Sequence, residues 1–143
     1  MYKFKLIDHT ADIGIRTSAT SLEELFCNCA YGMYNIICEN FHNIEEKEKY
    51  SSSTEDQDVE GLLISFLNDL LYQTSVNKIL FCKFKVEKIT NEDKSWKISY
   101  TCFGEKYDKQ KHGALFELKS ATFHNLKIKK NKNGYSVDVI FDI

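Results

Sequence analysis

The sequence predicts an α+β fold in which two amphipathic helices pack on a largely antiparallel sheet. Two stretches repeat apolar residues at helical spacing, several shorter ones alternate apolar and polar residues, and the order runs strand, helix, strand, helix, then strands alone. No low-complexity linker or fixed-period repeat interrupts the chain, so residues 1–143 read as one domain.

Residues 2–7 and 13–17 are short strand candidates ahead of the first helix. That helix starts at Ser21, whose spacing to Glu24 forms a capping box, and Leu22, Leu25, Phe26, Cys29, Ala30, Met33, Ile36 and Ile37 line one face. Residues 44–52 form another strand candidate. The second helix covers residues 58–74, with Val59, Leu62, Leu63, Phe66, Leu67, Leu70 and Leu71 as its apolar stripe. Both stripes are core and need no ligand to explain them. Leu80, Cys82, Phe84 and Val86 then alternate with polar neighbours, as do Trp96, Ile98, Tyr100 and Cys102 after the polar turn at residues 91–94. Together they predict an antiparallel hairpin with one face on the core.

A last hairpin flanks residues 131–134, and its first arm, residues 114–130, is long enough to bend or bulge. Pairing Tyr135 with Lys130 sets Val137 opposite Ile128, Val139 opposite Leu126 and Phe141 opposite His124; a one-residue slip would face the valines with lysines. The apolar register is therefore expected, with a four-residue loop ending on Gly134. It aligns Asp138 with Lys127, puts Asp142 opposite Phe123 and diagonal to Asn125, and turns His124 toward the core.

A chain of 143 residues can bury roughly 68–70% of its unfolded surface, so a core forms without disulfides or metal. The net charge of −2 predicts no general attraction to nucleic acid or membranes. No signal-peptide pattern opens the sequence, and no apolar run approaches the ~18 residues of a membrane span. An intracellular protein, cytoplasmic or also nuclear, is expected. Five cysteines without Cys-x-x-Cys spacing read as small core residues in a reducing compartment. Proline is absent, so turns rely on Gly, Asn and Asp.

Few residues suggest chemistry. There is no nucleophile elbow and no His-x-x-x-His, and the six glycines never cluster into a phosphate-cradling loop, which argues against an autonomous NTPase. Lys127, Lys129, Lys130 and Lys132 form the one basic run; RNA phosphates could meet it, but lysines near a hairpin tip also protect a sheet edge, the preferred reading. A tip about eight residues from Asp142, at ~3.3 Å each, would hold the basic and acidic features far apart. Those acidic features are Asp12 and Asp142. If the fold brings the two ends together, both carboxylates and the α-carboxylate of Ile143 could surround a hard cation, Ca²⁺, Mg²⁺ or Mn²⁺, since every donor is oxygen. Two distant aspartates among 21 acidic residues can equally be solvated turn residues. Asp8 could likewise cap a turn, and His9 could simply pack.

Four stretches taken in series resemble the archease family. They are residues 8–15 (Asp8-His9-Thr10-Ala11-Asp12-Ile13-Gly14-Ile15) leading into Ser21-Leu22-Glu23-Glu24-Leu25-Phe26; Phe66-Leu67-Asn68-Asp69-Leu70-Leu71-Tyr72; Lys119-Ser120-Ala121-Thr122-Phe123-His124-Asn125-Leu126; and the closing Val139-Ile140-Phe141-Asp142-Ile143. The resemblance spans nearly the whole chain and implies a strand-helix-strand-strand-like module. It further implies an accessory protein, not itself an enzyme, that promotes guanylylation of an RtcB-class tRNA-splicing RNA ligase with GTP and allows repeated turnover. The family's metal ligands carry over onto Asp12, Asp142 and Ile143, with Asp8 and His9 matching the motif in a supporting role. Phe123 stands where the family often has tyrosine, which removes a hydroxyl expected beside Asp142. The partner implied is the ligase; direct contact with tRNA draws no support from these residues. Two other classes fit the carboxylates: a stand-alone metal-dependent phosphohydrolase, and a plain protein-binding module.

Overall fold

The computed structural model describes residues 2–8 and 12–143, with Asp8 through its backbone alone. Strands β1 (Lys5–Asp8) and β2 (Asp12–Ala19) precede helix α1 (Leu22–Ile37), and β3 (Glu48–Asp56) precedes helix α2 (Val59–Asn77). Then come β4 (Ile79–Glu92), β5 (Ser95–Lys106), the short helix α3 (Lys109–His112), β6 (Ser120–Ala121), β7 (Lys129–Asn131) and β8 (Gly134–Asp142). The α+β class is as expected, and the named strand pairings are all antiparallel. The strands divide into two sheets: one ordered β1-β2-β8-β6 with β7 also on β8, the other β3-β5-β4. Helix α1 packs against β2 and β8 of the first and β4 of the second, while α2 meets all three strands of the second and β6 of the first. Their stripes therefore have apolar surface on both sides, and Leu25, Phe26, Cys29, Leu62, Phe66 and Leu67 are fully buried.

Local chemistry sets the element boundaries. Ser21 accepts the Glu24 amide at 3.1 Å, but the Glu24 carboxylate reaches past it to the Thr20 amide at 2.9 Å, one residue earlier than a capping box requires. Asp58 caps α2 through the Gly61 amide at 2.6 Å, and the helix runs past the expected residue 74 to Lys78, which closes it in a left-handed conformation. The Tyr34 hydroxyl on α1 donates to the Leu70 carbonyl on α2 at 3.0 Å and joins the two helices. Asp93 and Lys94, both with positive φ, make the tight β4–β5 turn. A register shift at Cys82 breaks the simple alternation expected in β4, so Phe81 pairs with Gly104 and is buried along with Phe84. Gly104 is required there, because a Cβ would sit 1.7 Å from the Leu80 carbonyl oxygen.

The last hairpin follows the expected register only near its tip. Lys130 pairs with Tyr135 as anticipated, and one further pair, Asn131 with Gly134, tightens the loop. Further along, Ala121 pairs with Phe141 and Ser120 with Asp142. From Ala121 to Lys130 the chain takes nine steps while β8 takes six from Phe141 to Tyr135, so three residues are looped out. Asn125, with φ 53°, turns this excursion. The expected pairings of His124 with Phe141, Phe123 with Asp142 and Lys127 with Asp138 are therefore not made: His124 is exposed, Phe123 is 61% exposed, and Asp138 faces Arg16 instead. Two independent anchors force the change. Asn68 on α2 grips the backbone of Ala121, and Thr122 binds the Ile140 carbonyl.

A buried ionic knot fixes the approach to β6. The Glu105 carboxylate, 6% exposed, accepts the Glu45 amide at 2.8 Å and Lys111 Nζ at 3.0 Å. His112 is fully buried; its Nδ1 accepts the Asp108 amide at 3.0 Å, so Nε2 carries the proton and donates to Glu105 at 2.9 Å. Burial alone would raise the Glu105 pKa, but the bonds from Lys111, the Glu45 amide and His112 outweigh it and hold it at about 2. Because the folded pKa lies below the ordinary 4.5, this stabilisation is complete above 4.5 and is lost as pH falls toward about 2. Glu105→Gln should cost about 2 kcal/mol near neutral pH in urea denaturation. The gap to the parent should close as acid protonates Glu105; a gap unchanged through that window contradicts this role.

Candidate metal centre

The β2–β8 ladder decides where the two ends of the sequence meet. Its pairs run from Ala19 with Tyr135 to Asp12 with Asp142, so the two aspartates stand directly opposite each other at its end. Opposed residues in an antiparallel pair have Cα atoms about 4.5–5.5 Å apart and share a face. On the other side of β8, Ser120 opposes Asp142, and its hydroxyl donates a long 3.4 Å hydrogen bond to the carboxylate. One row across three strands thus reads Asp12, Asp142, Ser120. The next row, Ile13, Phe141 and Ala121, points the other way, with Phe141 and Ala121 buried. Alternation of the pleat therefore turns the acidic row off the core. Ile143 follows at the strand end, 46% exposed.

Each neighbour of Asp142 is held in place. The Lys119 amide donates to the Asp142 carbonyl at 2.9 Å, and the Thr122 amide to the Ile140 carbonyl at 3.0 Å. Asn68 Oδ1 accepts the Ala121 amide at 2.8 Å while its Nδ2 donates to the Ala121 carbonyl at 3.4 Å, so α2 serves as an edge partner for β6. The adjacent Asp69 accepts hydrogen bonds from the hydroxyls of Tyr50 and Tyr100, on β3 and β5. Asn68 and Asp69 thus tie α2 to both sheets. Both occupy the ordinary polar gap between Leu67 and Leu70, so periodicity alone did not single them out. Ser120 carried no signal either, because the expected straight hairpin placed Phe123 beside Asp142.

Asp12 is half-buried and Asp142 exposed, and among the described residues neither pairs with a cation. Like charges directly opposite each other in a sheet are destabilising. The donors are two carboxylates and a hydroxyl, with the Ile143 carboxylate one residue on. This all-oxygen set fits Ca²⁺, Mg²⁺ or Mn²⁺ and lacks the soft or imidazole ligands that favour zinc. No three side chains of His, Cys, Asp or Glu converge among the described residues, so beside the two aspartates a third charged ligand would be the Ile143 carboxylate. In the backbone register Asp8 pairs with Ile13, one step from Asp12. His9 lies outside the described residues. A cleft of about 560 Å³ between α2 and residues 115–119, lined by Tyr72, Phe116 and Leu118, includes neither aspartate. The carboxylates stand at the end of two interior strands, outside the lining of this cleft.

Asn68→Ala should release β6 while leaving β7 paired. Two hydrogen bonds are lost, a cost of about 1–3 kcal/mol. Amide exchange at Ala121 and Lys119 should accelerate while that at Asn131 stays unchanged; equal protection in parent and variant contradicts the anchoring role.

Comparison with known proteins identifies the family. The sequence pattern of the archease protein family matches residues 4–143. Protein archease of Methanosarcina mazei is 34% identical over 147 aligned residues, covering 99% of this chain and 96% of that protein. Protein archease of Pyrococcus abyssi is 37% identical over 134, covering 94% and 93%. The solution structure of Methanobacterium thermoautotrophicum protein 1598 superimposes with a TM-score of 0.85 at 31% identity, covering both chains completely. By its sequence and its fold, the chain belongs to the archease family.

Proposed function

We propose that this protein is an accessory factor that activates an RtcB-class tRNA-splicing RNA ligase, promoting its guanylylation with GTP and its repeated turnover. The observation that carries this reading is the opposition of Asp12 and Asp142 at the end of the β2–β8 ladder. Asp12, Asp142 and the Ile143 carboxylate would hold a divalent cation there, with Asp8 and His9 in support. When bound, the cation supplies positive charge that favours phosphoryl transfer from GTP.

The protein's own groups present that charge to a partner. β8 is flanked by β2 and β6, so its end is a rim held from both sides, and the Ser120 hydroxyl steadies one oxygen of Asp142. An exposed rim cannot enclose a substrate, but it can enter a cleft in another protein and complete the site there. Reactive nucleophiles are lacking among the cysteines: burial raises the thiol pKa of Cys27 and Cys82 to about 11, and that of Cys29 and Cys102 further still. Such thiols suit an accessory protein better than a covalent catalyst.

A ligase guanylylation assay under multiple-turnover conditions tests the proposal. The parent should stimulate, and Asp12→Ala and Asp142→Ala should each abolish stimulation. Both variants should stay folded, with stability changed by no more than about 0.5 kcal/mol or slightly increased as the like-charge opposition is relieved. Residues appended after Ile143 should impair activation. Full stimulation by both variants contradicts the proposal, as does phosphate-ester turnover by the purified chain alone with Mg²⁺ or Mn²⁺.

A further inference from the structure

The face of the sheet that carries Asp12 and Asp142 also carries a cationic pocket. Its volume is about 260 Å³, and its walls include Arg16 of β2, Ser136 and Asp138 of β8, Lys129 of β7, and Asn125 and Lys127 of the looped-out excursion. The excursion creates the pocket: with Asn125 in a left-handed conformation, the chain leaves the ladder and folds Lys127 beside the sheet. Two of the four lysines read from the sequence as edge protection thus face a concavity. Asp138 and Asp142 lie four residues apart on β8, about 13 Å along one face, so basic and acidic features are much closer than a basic hairpin tip implied.

Charge here runs against the chain as a whole. Three cations and one carboxylate line the pocket, and Lys5 on β1 pairs directly with Arg16, placing two like charges opposite each other. The chain itself has a net charge of −2. Asp138 binds Arg16 through Nε at 2.8 Å and a terminal nitrogen at 2.9 Å, a bidentate grip that fixes the guanidinium plane. Among the described residues two of its five N–H donors are used, which leaves others to meet a second acceptor. Fixed guanidinium donors, two flexible ammonium groups, an amide and a hydroxyl around a small concavity match the oxygens of a phosphate.

We infer that Arg16, Lys127, Lys129, Asn125 and Ser136 form a phosphate-binding site on the same face as the carboxylate pair. The phosphate could come from the backbone of single-stranded RNA or from the terminal phosphates of a nucleotide; the chemistry is shared. The inference stands independently of any ligase and of any bound cation.

The test uses the isotopically labelled full chain in EDTA, so that the carboxylate edge contributes no metal. It is titrated separately with inorganic triphosphate, GTP and a short single-stranded RNA. Amide shifts should concentrate at Arg16, Ser136, Val137 and Asp138. Lys127→Gln with Lys129→Gln should weaken binding at least about tenfold and, for RNA, reduce the salt slope by about 1.4, the release expected for two phosphate contacts. Lys130→Gln with Lys132→Gln removes equal charge at the hairpin tip and should change affinity less than about twofold, since attraction there is screened and unfocused. RNA binding at this site identifies a phosphodiester source; binding of triphosphate and GTP without RNA identifies a terminal phosphate. No shifts with any probe, or equal loss in both double variants, would overturn the inference.

Discussion

The antiparallel pairing of β2 with β8 is the constraint on which the rest of this structure depends. It joins the two ends of the sequence along one ladder, buries Ile15 and Val139 against α1 and sets Asp12 opposite Asp142. Because the pleat alternates, the same register that buries Phe141 must turn Asp142 outward. A slip of β8 by one residue would send Asp142 into apolar packing, where desolvation opposes its charge. Core packing and the acidic edge are thus two consequences of one register, and the hydrophobic energy of the core maintains a like-charge opposition that the sheet alone would relax.

Supporting interactions follow the same logic. β6 contains only two residues and could not hold its place on ladder bonds alone, so Asn68 supplies a second edge from α2. The ionic knot around Glu105 and His112 steadies the chain upstream of this strand. Helix and knot together place Ser120 beside Asp142. The looped-out residues between β6 and β7 then generate the cationic pocket, which gives one sheet face a carboxylate pair and a phosphate-sized concavity.

Both helices and the β4–β5 hairpin were legible because their periodicity extends over many residues and their caps are local. The register at the tip of the last hairpin was legible too, since a slip would have buried lysines. Its upper part was not. Residues 122–128 contain no glycine or proline to announce an excursion, and the forces that create it, Asn68 from α2 and the Ile140 carbonyl, are distant in sequence. Sequence could nominate the Asp12–Asp142 pairing without fixing it, because partner choice between strands 130 residues apart leaves no local pattern. Arg16 escaped notice for the same reason: its pairing with Asp138 is visible only once β2 lies beside β8.

Opposed carboxylates at the end of one ladder should bind a hard cation. Isothermal titration of the full chain with Ca²⁺, Mg²⁺ and Mn²⁺, repeated on Asp12→Asn with Asp142→Asn, tests this most directly. One ion per chain, with binding lost in the double variant while its fold persists, is the predicted result; no binding by the parent, or equal binding by the variant, would contradict it.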